Sequence, residues 1–242
     1  MKRATILLIY SSCAYCVLSA PFQDLGFDDA NTNNLVTTAG PGLGTGSIGD
    51  LLPGWQLHLA SGPYTDLLWV NLEAVDLGLA SLYNRNNFGP APQNRFPVQG
   101  IYSFAMVPGY GPLGQVISYN PFILSQTGDV PANSQTLHFR GYGSPFEVRM
   151  NDTLLAVSYV QGPPTPDPNM RSSDAVADIS AFAGLTVTLK FTTLDTDGLT
   201  TVVNGLDSIY FSPVPEPGTV ALLSAGLSVL GALGLRRGRP RN

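Results

Sequence analysis

Residues 185–192 have the sequence LTVTLKFT, in which apolar and polar side chains alternate without a break. The apolar members are Leu185, Val187, Leu189 and Phe191, and threonine or lysine occupies every position between them. A period of two places successive side chains on opposite faces of a β-strand, so that one face is buried and the other meets water. This pattern is typical of antiparallel sheets. The stretch therefore predicts a strand that covers a core on one side.

Short runs of the same kind recur through the middle of the chain, separated by clusters of Gly, Pro and Asn. Alternation is equally clear at residues 146–150 and 137–140. The remaining predicted strands are residues 22–27, 55–59, 67–72, 101–106, 115–118, 154–160 and 206–211. Between the two ends of the chain, no stretch of about eleven residues has a helical period. About ten strands with turn-rich connections predict an all-β fold, in which residues 21–212 form one β-sandwich of the jelly-roll type.

The charged residues are few and unevenly placed. The 242 residues include 12 Lys or Arg and 17 Asp or Glu, which gives a net charge of -5 with histidine neutral. Six bases lie close to the two termini, so residues 21–218 carry the other six bases and all 17 acids, a net charge of -11. A segment this acidic repels phosphate backbones, which argues against nucleic-acid binding. The 26 glycines and 20 prolines exclude a long helical bundle.

The N-terminus has the organisation of a secretory signal, a short basic region followed by an apolar run. Basic side chains fill the second and third positions, and residues 4–10 are mainly apolar. We predict a signal peptide over residues 1–20, with cleavage after Ala14 or Ala20; the alternative is a buried N-terminal strand. Cleavage after Ala20 would remove both cysteines of the chain. The mature protein would then have no disulfide, thiolate zinc site or cysteine nucleophile.

The C-terminus predicts a single transmembrane helix and a basic tail. Residues 219–235 contain no charged side chain. As a helix they would be about 25 Å long, slightly less than the ~30 Å hydrocarbon core of a bilayer. The tail, residues 236–242, contains the arginines Arg236, Arg237, Arg239 and Arg241. By the positive-inside rule this tail is cytoplasmic and residues 21–212 lie outside the membrane.

A proline-rich linker, residues 213–218, joins the predicted sandwich to this helix. Three of its prolines occupy alternate positions, so its backbone is held extended and cannot form the hydrogen bonds of a helix or sheet. An extended, exposed segment is also what a protease requires. The triplet Pro215-Glu216-Pro217, followed by an apolar helix and a terminal arginine cluster, resembles the PEP-CTERM sorting signal of Gram-negative bacteria.

This resemblance implies export, temporary retention in the inner membrane and recognition by an exosortase, a membrane-embedded cysteine protease. Pro215, Glu216 and Pro217 would be the recognition motif, and the four arginines would be the retention cluster. The family is associated with exopolysaccharide and biofilm matrices. Gly218 stands where the family often has Ser or Thr, and a glycine and a proline interrupt the basic tail. The alternative is a plain single-pass anchor that is never cleaved.

Four short motifs in the middle of the chain carry a second resemblance. They are Phe27-Asp28, residues 53–55, residues 177–184 and residues 205–209. In order and character they are similar to galactose-binding-like jelly rolls, a fold that many carbohydrate-binding modules share. The resemblance implies a structural calcium ion where the first and last strands meet, with Asp28 and Asp207 as side-chain ligands. Calcium prefers such carboxylate oxygens.

Candidates for catalysis are few. The chain has two histidines, His58 and His138, and we expect both to face solvent because each alternates with apolar neighbours. The two glutamates of the middle region, Glu73 and Glu147, do not single out an acid/base pair. Residues 44–49 satisfy the glycine spacing of a dinucleotide-binding turn. We predict a flexible loop there, because that motif needs a hydrophobic strand before it and a helix after it.

Tyrosines near Gly/Pro-rich loops are candidates for stacking on sugar rings. They are Tyr64, Tyr83, Tyr110, Tyr119 and Tyr142. In contrast, we expect Trp55 and Trp69 to lie in the core.

The leading interpretation is an exported, non-enzymatic surface or matrix protein. A second interpretation is a carbohydrate-binding module that is placed on exopolysaccharide. The third and weakest is an extracellular hydrolase.

Overall fold

The computed structural model describes residues 20–37, 43–60, 62–64, 68–71, 80–84, 100–106, 121–164, 171–194 and 204–213. The predicted signal peptide up to residue 19, the strand predicted at 115–118 and everything from residue 214 onward lie outside these ranges. The structure therefore does not describe the predicted sorting motif, apolar helix or basic tail. Within the described ranges, no helix is both long and apolar enough to cross a membrane.

The described chain is built almost entirely of strands. They are β1 (Val36–Thr37), β2 (Leu43–Gly46), β3 (Gln56–Leu59), β4 (Gly62–Pro63), β5 (Leu68–Asn71), β6 (Ala80–Asn84), β7 (Tyr102–Met106), β8 (Phe122–Asp129), β9 (Thr136–Tyr142), β10 (Phe146–Met150), β11 (Thr153–Leu154), β12 (Val157–Pro164), β13 (Arg171–Asp178), β14 (Thr186–Thr193) and β15 (Asn204–Ser212). One turn of α-helix, α1, spans Ile48–Leu51, and 3-10 turns span Thr32–Asn34 and Ser180–Phe182.

These strands form two sheets within the described residues. The larger sheet has the order β1-β2-β5-β6-β7-β15-β9-β13-β12, and the smaller has the order β11-β10-β14-β8-β3-β4. Neighbouring strands are antiparallel, except that β5 and β6 pair in parallel. From β8 to β15 the chain passes repeatedly from one sheet to the other. The predicted all-β, two-sheet sandwich is confirmed.

The core lies between the sheets, and β14 shows how the alternating pattern builds it. Val187, Leu189 and Phe191 are almost completely buried, whereas the residues between them are only partly covered. The ring centroid of Phe191 lies 5.1 Å from that of Phe139 on β9 and 6.1 Å from that of Phe146 on β10. Since β9 belongs to the larger sheet and β10 to the smaller, Phe191 packs against both layers.

Two predicted strands differ from the observed ones in ways that local hydrogen bonds explain. Leu185 precedes β14 and donates its N–H to the carbonyl oxygen of Phe182 in a turn, so it is 51% exposed rather than buried. The run predicted at 154–160 is interrupted. There the Leu155 N–H bonds to the Val148 carbonyl oxygen on β10, and the chain then crosses to the larger sheet to begin β12.

The prediction of a strand at residues 22–27 is wrong. The N–H and the carbonyl oxygen of Gln23 bond to the side-chain amide of Gln126 on β8, at 2.6 and 2.9 Å, instead of to the backbone of a neighbouring strand. Asp24 and Phe27 have φ values of 44° and 60°, which lie in the left-handed region rather than the β region. The segment is therefore a turn, closed by the bond from the Phe27 N–H to the Asp24 carbonyl oxygen.

The prediction of a flexible loop at residues 44–49 is also wrong. The glycine-rich segment belongs to β2, which pairs with β5, and Ser47 then caps α1 by accepting the Asp50 N–H at 3.1 Å. Both β2 pairings, with β1 and with β5, are antiparallel. A dinucleotide-binding turn belongs to a parallel βαβ unit, so the structure gives that motif no support.

Candidate functional site

The outer face of the larger sheet carries charged side chains on three neighbouring strands. Arg140 on β9 lies opposite Asp174 on β13 and opposite Asp207 on β15. The Arg140 Nε donates to Asp174 Oδ1 at 2.8 Å. Both side chains of this ion pair are partly exposed, so we expect it to contribute at most about 1 kcal/mol to stability.

A β-bulge in β15 decides which side chains reach this face. Asp207 and Tyr210 are three residues apart, but their partners on β9 are only two residues apart. Ser208 accommodates the extra residue with a left-handed φ of 53°. Bulges re-aim side chains in this way because they shift the alternation by one position. As a result Asp207 and Tyr210 both lie on the outer face, whereas Ile209 is turned into the core.

Tyr210 forms an aromatic pair with His138, its cross-strand neighbour on β9. The two rings are stacked, with centroids 4.7 Å apart and planes inclined by 5°. Thr136 Oγ1 lies 2.9 Å from His138 Nε2 and fixes the orientation of the imidazole. Tyr210 is nevertheless 52% exposed, so the pair presents an aromatic surface to solvent.

Two adjoining cavities lie around this pair, and both are lined by Ser208 and Tyr210. The first has a volume of about 260 Å³ and is lined also by His138, Phe139, Arg140, Asp174 and Ala175. The second has a volume of about 520 Å³ and is lined also by Gly26, Asp28, Asp207 and Ile209. We call the two cavities together the outer-face cleft. Their sizes are close to the range of about 300–1,000 Å³ that small-ligand sites occupy.

Asp28 and Asp207, the two predicted calcium ligands, line the same cavity of the cleft. Asp28 Oδ1 accepts the N–H groups of Ile101 and Tyr102 at 2.6 and 3.0 Å. Asp207 is almost completely buried, and its Oδ1 accepts the Ser208 N–H at 2.6 Å. The structure therefore brings the two carboxylates into one place, and both already hold backbone amides.

The donor set fits a calcium ion only in part. Calcium takes about six to eight oxygen ligands, and Asp28 and Asp207 supply two carboxylates. Within the described ranges, no three His, Cys, Asp or Glu side chains are grouped so that they could hold a metal. Backbone carbonyls and water would have to supply the remaining ligands. The calcium site stays a prediction.

Asp24 is a third carboxylate, in the turn that leads to Asp28. Its Oδ1 accepts the Asp29 N–H at 3.0 Å, and its Oδ2 is buried without a hydrogen-bond partner among the described residues. Burial raises the pKa of the Asp24 carboxyl to about 6, and the negative charges of Asp29 and Asp28 add to the rise. Burial therefore disfavours the ionised form of the Asp24 carboxyl.

Replacing Asp24 with asparagine is expected to remove the part of the pH dependence of stability that comes from the Asp24 carboxyl. Because the folded pKa is raised above its ordinary value of 3.8, the contribution of the protonated carboxyl is fully present below pH 3.8 and is lost as the pH rises through about 6. Asparagine does not titrate and tolerates the left-handed φ of this position. The variant should therefore gain stability relative to the wild type as the pH rises through this range.

The measurement is denaturant unfolding of both proteins in a chelating buffer, at about pH 4 and about pH 7.5. The difference in the free energy of unfolding, variant minus wild type, should be larger at the higher pH. An unchanged difference would show that Asp24 has the same pKa in the folded and unfolded chain.

The sequence did not identify the exposed aromatic residue of the site. Of the five tyrosines proposed as sugar contacts, Tyr64, Tyr83 and Tyr142 are buried, so that prediction is wrong for them, and the other two lie outside the described residues. Trp55 lies in the core as predicted, and its Nε1 donates to the Asp24 carbonyl oxygen at 3.1 Å. Tyr210 was missed because only the bulge reveals that it shares a face with Asp207.

Comparison with solved structures gives three similar chains. The carbohydrate-binding module TmCBM61 in complex with β-1,4-galactotriose has 14% identity and a TM-score of 0.35, with 81% of this chain and 99% of that chain covered. The Stig cyclase Fisc from Fischerella sp. TAU has 16% identity, a TM-score of 0.43, and 82% and 99% covered. The enzymatically active domain of tailspike protein 4 from bacteriophage CBA120 has 7% identity, a TM-score of 0.33, and 67% and 20% covered. With TM-scores below 0.5, these neighbours do not distinguish among functions.

Comparison of the sequence itself is more informative at the C-terminus. No curated protein matches the chain. Residues 213–239, however, match the family described as the PEP-CTERM protein-sorting motif. This segment includes the predicted recognition triplet and the first part of the arginine cluster. The chain therefore carries a PEP-CTERM sorting motif, which indicates an exported protein that passes through the membrane to the cell surface.

Proposed function

We propose that the chain is a non-enzymatic surface or extracellular-matrix protein that an exosortase sorts in a Gram-negative bacterium. The observation that carries this proposal is the PEP-CTERM motif at residues 213–239. Pro215, Glu216 and Pro217 are the recognition motif in this proposal. The arginines of residues 236–242 hold the precursor in the inner membrane until it is cleaved, after which the domain joins the exopolysaccharide or biofilm matrix.

The end of the described domain supports this order of events. The last strand, β15, ends at Ser212, whose carbonyl oxygen accepts the Gln135 N–H at 3.0 Å. The motif begins at the next residue, Pro213. A cut within the linker therefore leaves every strand of the described sandwich intact, because all of them lie before the motif.

Among the described residues, the placement of the titratable groups supports the absence of catalysis in this proposal. His58 lies on β3 in the smaller sheet and His138 lies on β9 in the larger sheet, so the two histidines belong to different layers. Asp28 and Asp207, which share a cavity, both accept hydrogen bonds from backbone amides. These bonds hold both carboxylates in fixed positions, which suits an anchoring role.

The experiment is the intact mass of the protein recovered from the envelope and the medium of the producing organism. We expect a species that ends near Pro217 and lacks the apolar segment and the arginines. Simultaneous replacement of Pro215, Glu216 and Pro217 with alanine should leave the full C-terminus in place. Val214→Ala, in the same linker, is the matched control and should be processed normally. A mature species of the wild type that retains Arg236 to Arg241 would overturn the proposal and leave an ordinary anchor.

A further inference from the structure

We propose that the outer-face cleft binds a neutral carbohydrate, with one sugar ring stacked against Tyr210. The proposal rests on the proposed function, which places the domain in an exopolysaccharide matrix, and names the ligand class of that domain. It is carried by three features of the cleft: an exposed aromatic surface, an ion pair with spare hydrogen-bonding capacity, and an acidic surround.

The aromatic surface is held in place before any ligand arrives. Tyr210 is the exposed member of the stacked pair, and Thr136 fixes the ring of its partner His138. The bulge at Ser208 sets the direction of Tyr210 from the backbone. Because the site is already ordered, a ligand that stacks here binds with little loss of side-chain conformational entropy. The flat face that it meets is apolar, and the phenolic oxygen at its edge offers a hydrogen bond.

The ion pair beside the platform has polar atoms left for a ligand. Arg140 donates through Nε to Asp174 Oδ1. Neither side chain forms another hydrogen bond with the described residues, so the two Nη groups and Asp174 Oδ2 remain available. A guanidinium carries five N–H donors and a carboxylate accepts several hydrogen bonds. Each hydroxyl of a sugar can both donate and accept a hydrogen bond. Two adjacent hydroxyls could therefore accept from Arg140 and donate to Asp174.

The charge of the cleft selects against anionic ligands. Without a bound cation, the carboxylates of Asp174, Asp207 and Asp28 outnumber Arg140 among the described residues that line the cleft, and residues 21–218 carry a net charge of -11. A nucleobase would also stack on Tyr210, but the phosphates of a nucleic acid need cationic side chains along their path. The same repulsion disfavours uronate-rich polymers. A neutral sugar can stack on Tyr210 without this electrostatic repulsion.

The test is isothermal titration calorimetry of the full-length chain in a zwitterionic detergent, which has no sugar headgroup. The probes are cellotriose, maltotriose and mannotriose, with trigalacturonate and an oligothymidylate as anionic probes. We expect at least one neutral probe to bind with a Kd near about 1 mM or tighter, and the anionic probes to bind more weakly. Tyr210→Ala should weaken that binding about tenfold or more, whereas Tyr210→Phe, which keeps the ring, should stay within about threefold.

A second variant and a control keep the test decisive. Asp174→Ala removes the acceptor without touching the ring and should weaken binding several-fold. Leu154→Ala replaces an exposed side chain on the smaller sheet and should bind like the wild type. The proposal fails if no neutral probe binds at about 10 mM, if an anionic probe binds best, or if Tyr210→Ala retains full affinity. Sorting is measured separately by intact mass, so such a failure would leave the proposed sorting intact.

Discussion

Replacing Phe191 with alanine is expected to lower the free energy of unfolding by about 3–5 kcal/mol. The side chain is completely buried, and its ring meets Phe139 of the larger sheet edge-on, at 78° and 5.1 Å. Phe146 and Trp55 surround it at centroid distances of 6.1 and 6.4 Å. Alanine would leave a cavity that two stiff sheets cannot close. The cost of this cavity then adds to the lost free energy of burying the ring. Denaturant unfolding followed by circular dichroism measures the loss.

The matched control for this substitution is Leu185→Ala. Leu185 directly precedes the same strand and contributes to the same alternating sequence, but it is 51% exposed. Its truncation should change the free energy of unfolding by less than about 1 kcal/mol. If the two variants lost the same amount, or if Phe191→Ala lost less than about 1 kcal/mol, Phe191 would not be the centre of the core.

The fold was predictable where hydrophobicity alone determines which face of a strand is buried. On β14 and β10 every second residue is buried without interruption, so a period of two was sufficient to find them. The prediction failed where polar side chains are buried. In β8, Ser125 and Gln126 are both buried although both are polar, and the amide of Gln126 bonds to the backbone of Gln23. A pattern of apolar residues does not contain that information.

The site was predictable only in part, for two different reasons. Asp28 and Asp207 share one cavity, and resemblance alone had paired them, since they are distant in sequence. Tyr210 depends on the bulge in β15. Strict alternation from Leu206 would place residues 206, 208 and 210 on one face. The extra residue at Ser208 instead sends Tyr210 outward while Leu206 is buried. A bulge is a property of two paired strands, so a single strand's sequence does not show it.

Replacing Gly100 with alanine is expected to destabilise the protein by about 2–4 kcal/mol. Gly100 has a φ of 83°, and a Cβ placed there would overlap the carboxylate of Asp28. The left-handed backbone costs an L-residue about 1–2 kcal/mol. Displacing Asp28 would also weaken its bonds to the N–H groups of Ile101 and Tyr102, and a hydrogen bond to a charged group is worth about 1.5–3 kcal/mol. Because Asp28 lines the second cavity, the same change would reshape the outer-face cleft.

A double-mutant cycle separates the two causes. In an Asp28→Ala background the carboxylate is already gone, so Gly100→Ala should cost only the backbone part, about 1–2 kcal/mol. Gly49→Ala in α1 is the matched control, because a Cβ there would meet no atom within 4 Å, and its effect should be within about 0.5 kcal/mol of zero or slightly stabilising. If Gly100→Ala cost the same in both backgrounds, its effect would be backbone strain alone, and Asp28 would not be what the glycine makes room for. A loss that shrinks when Asp28 is removed would instead show that the small residue at position 100 exists to seat this carboxylate against β7, at the wall of the cleft.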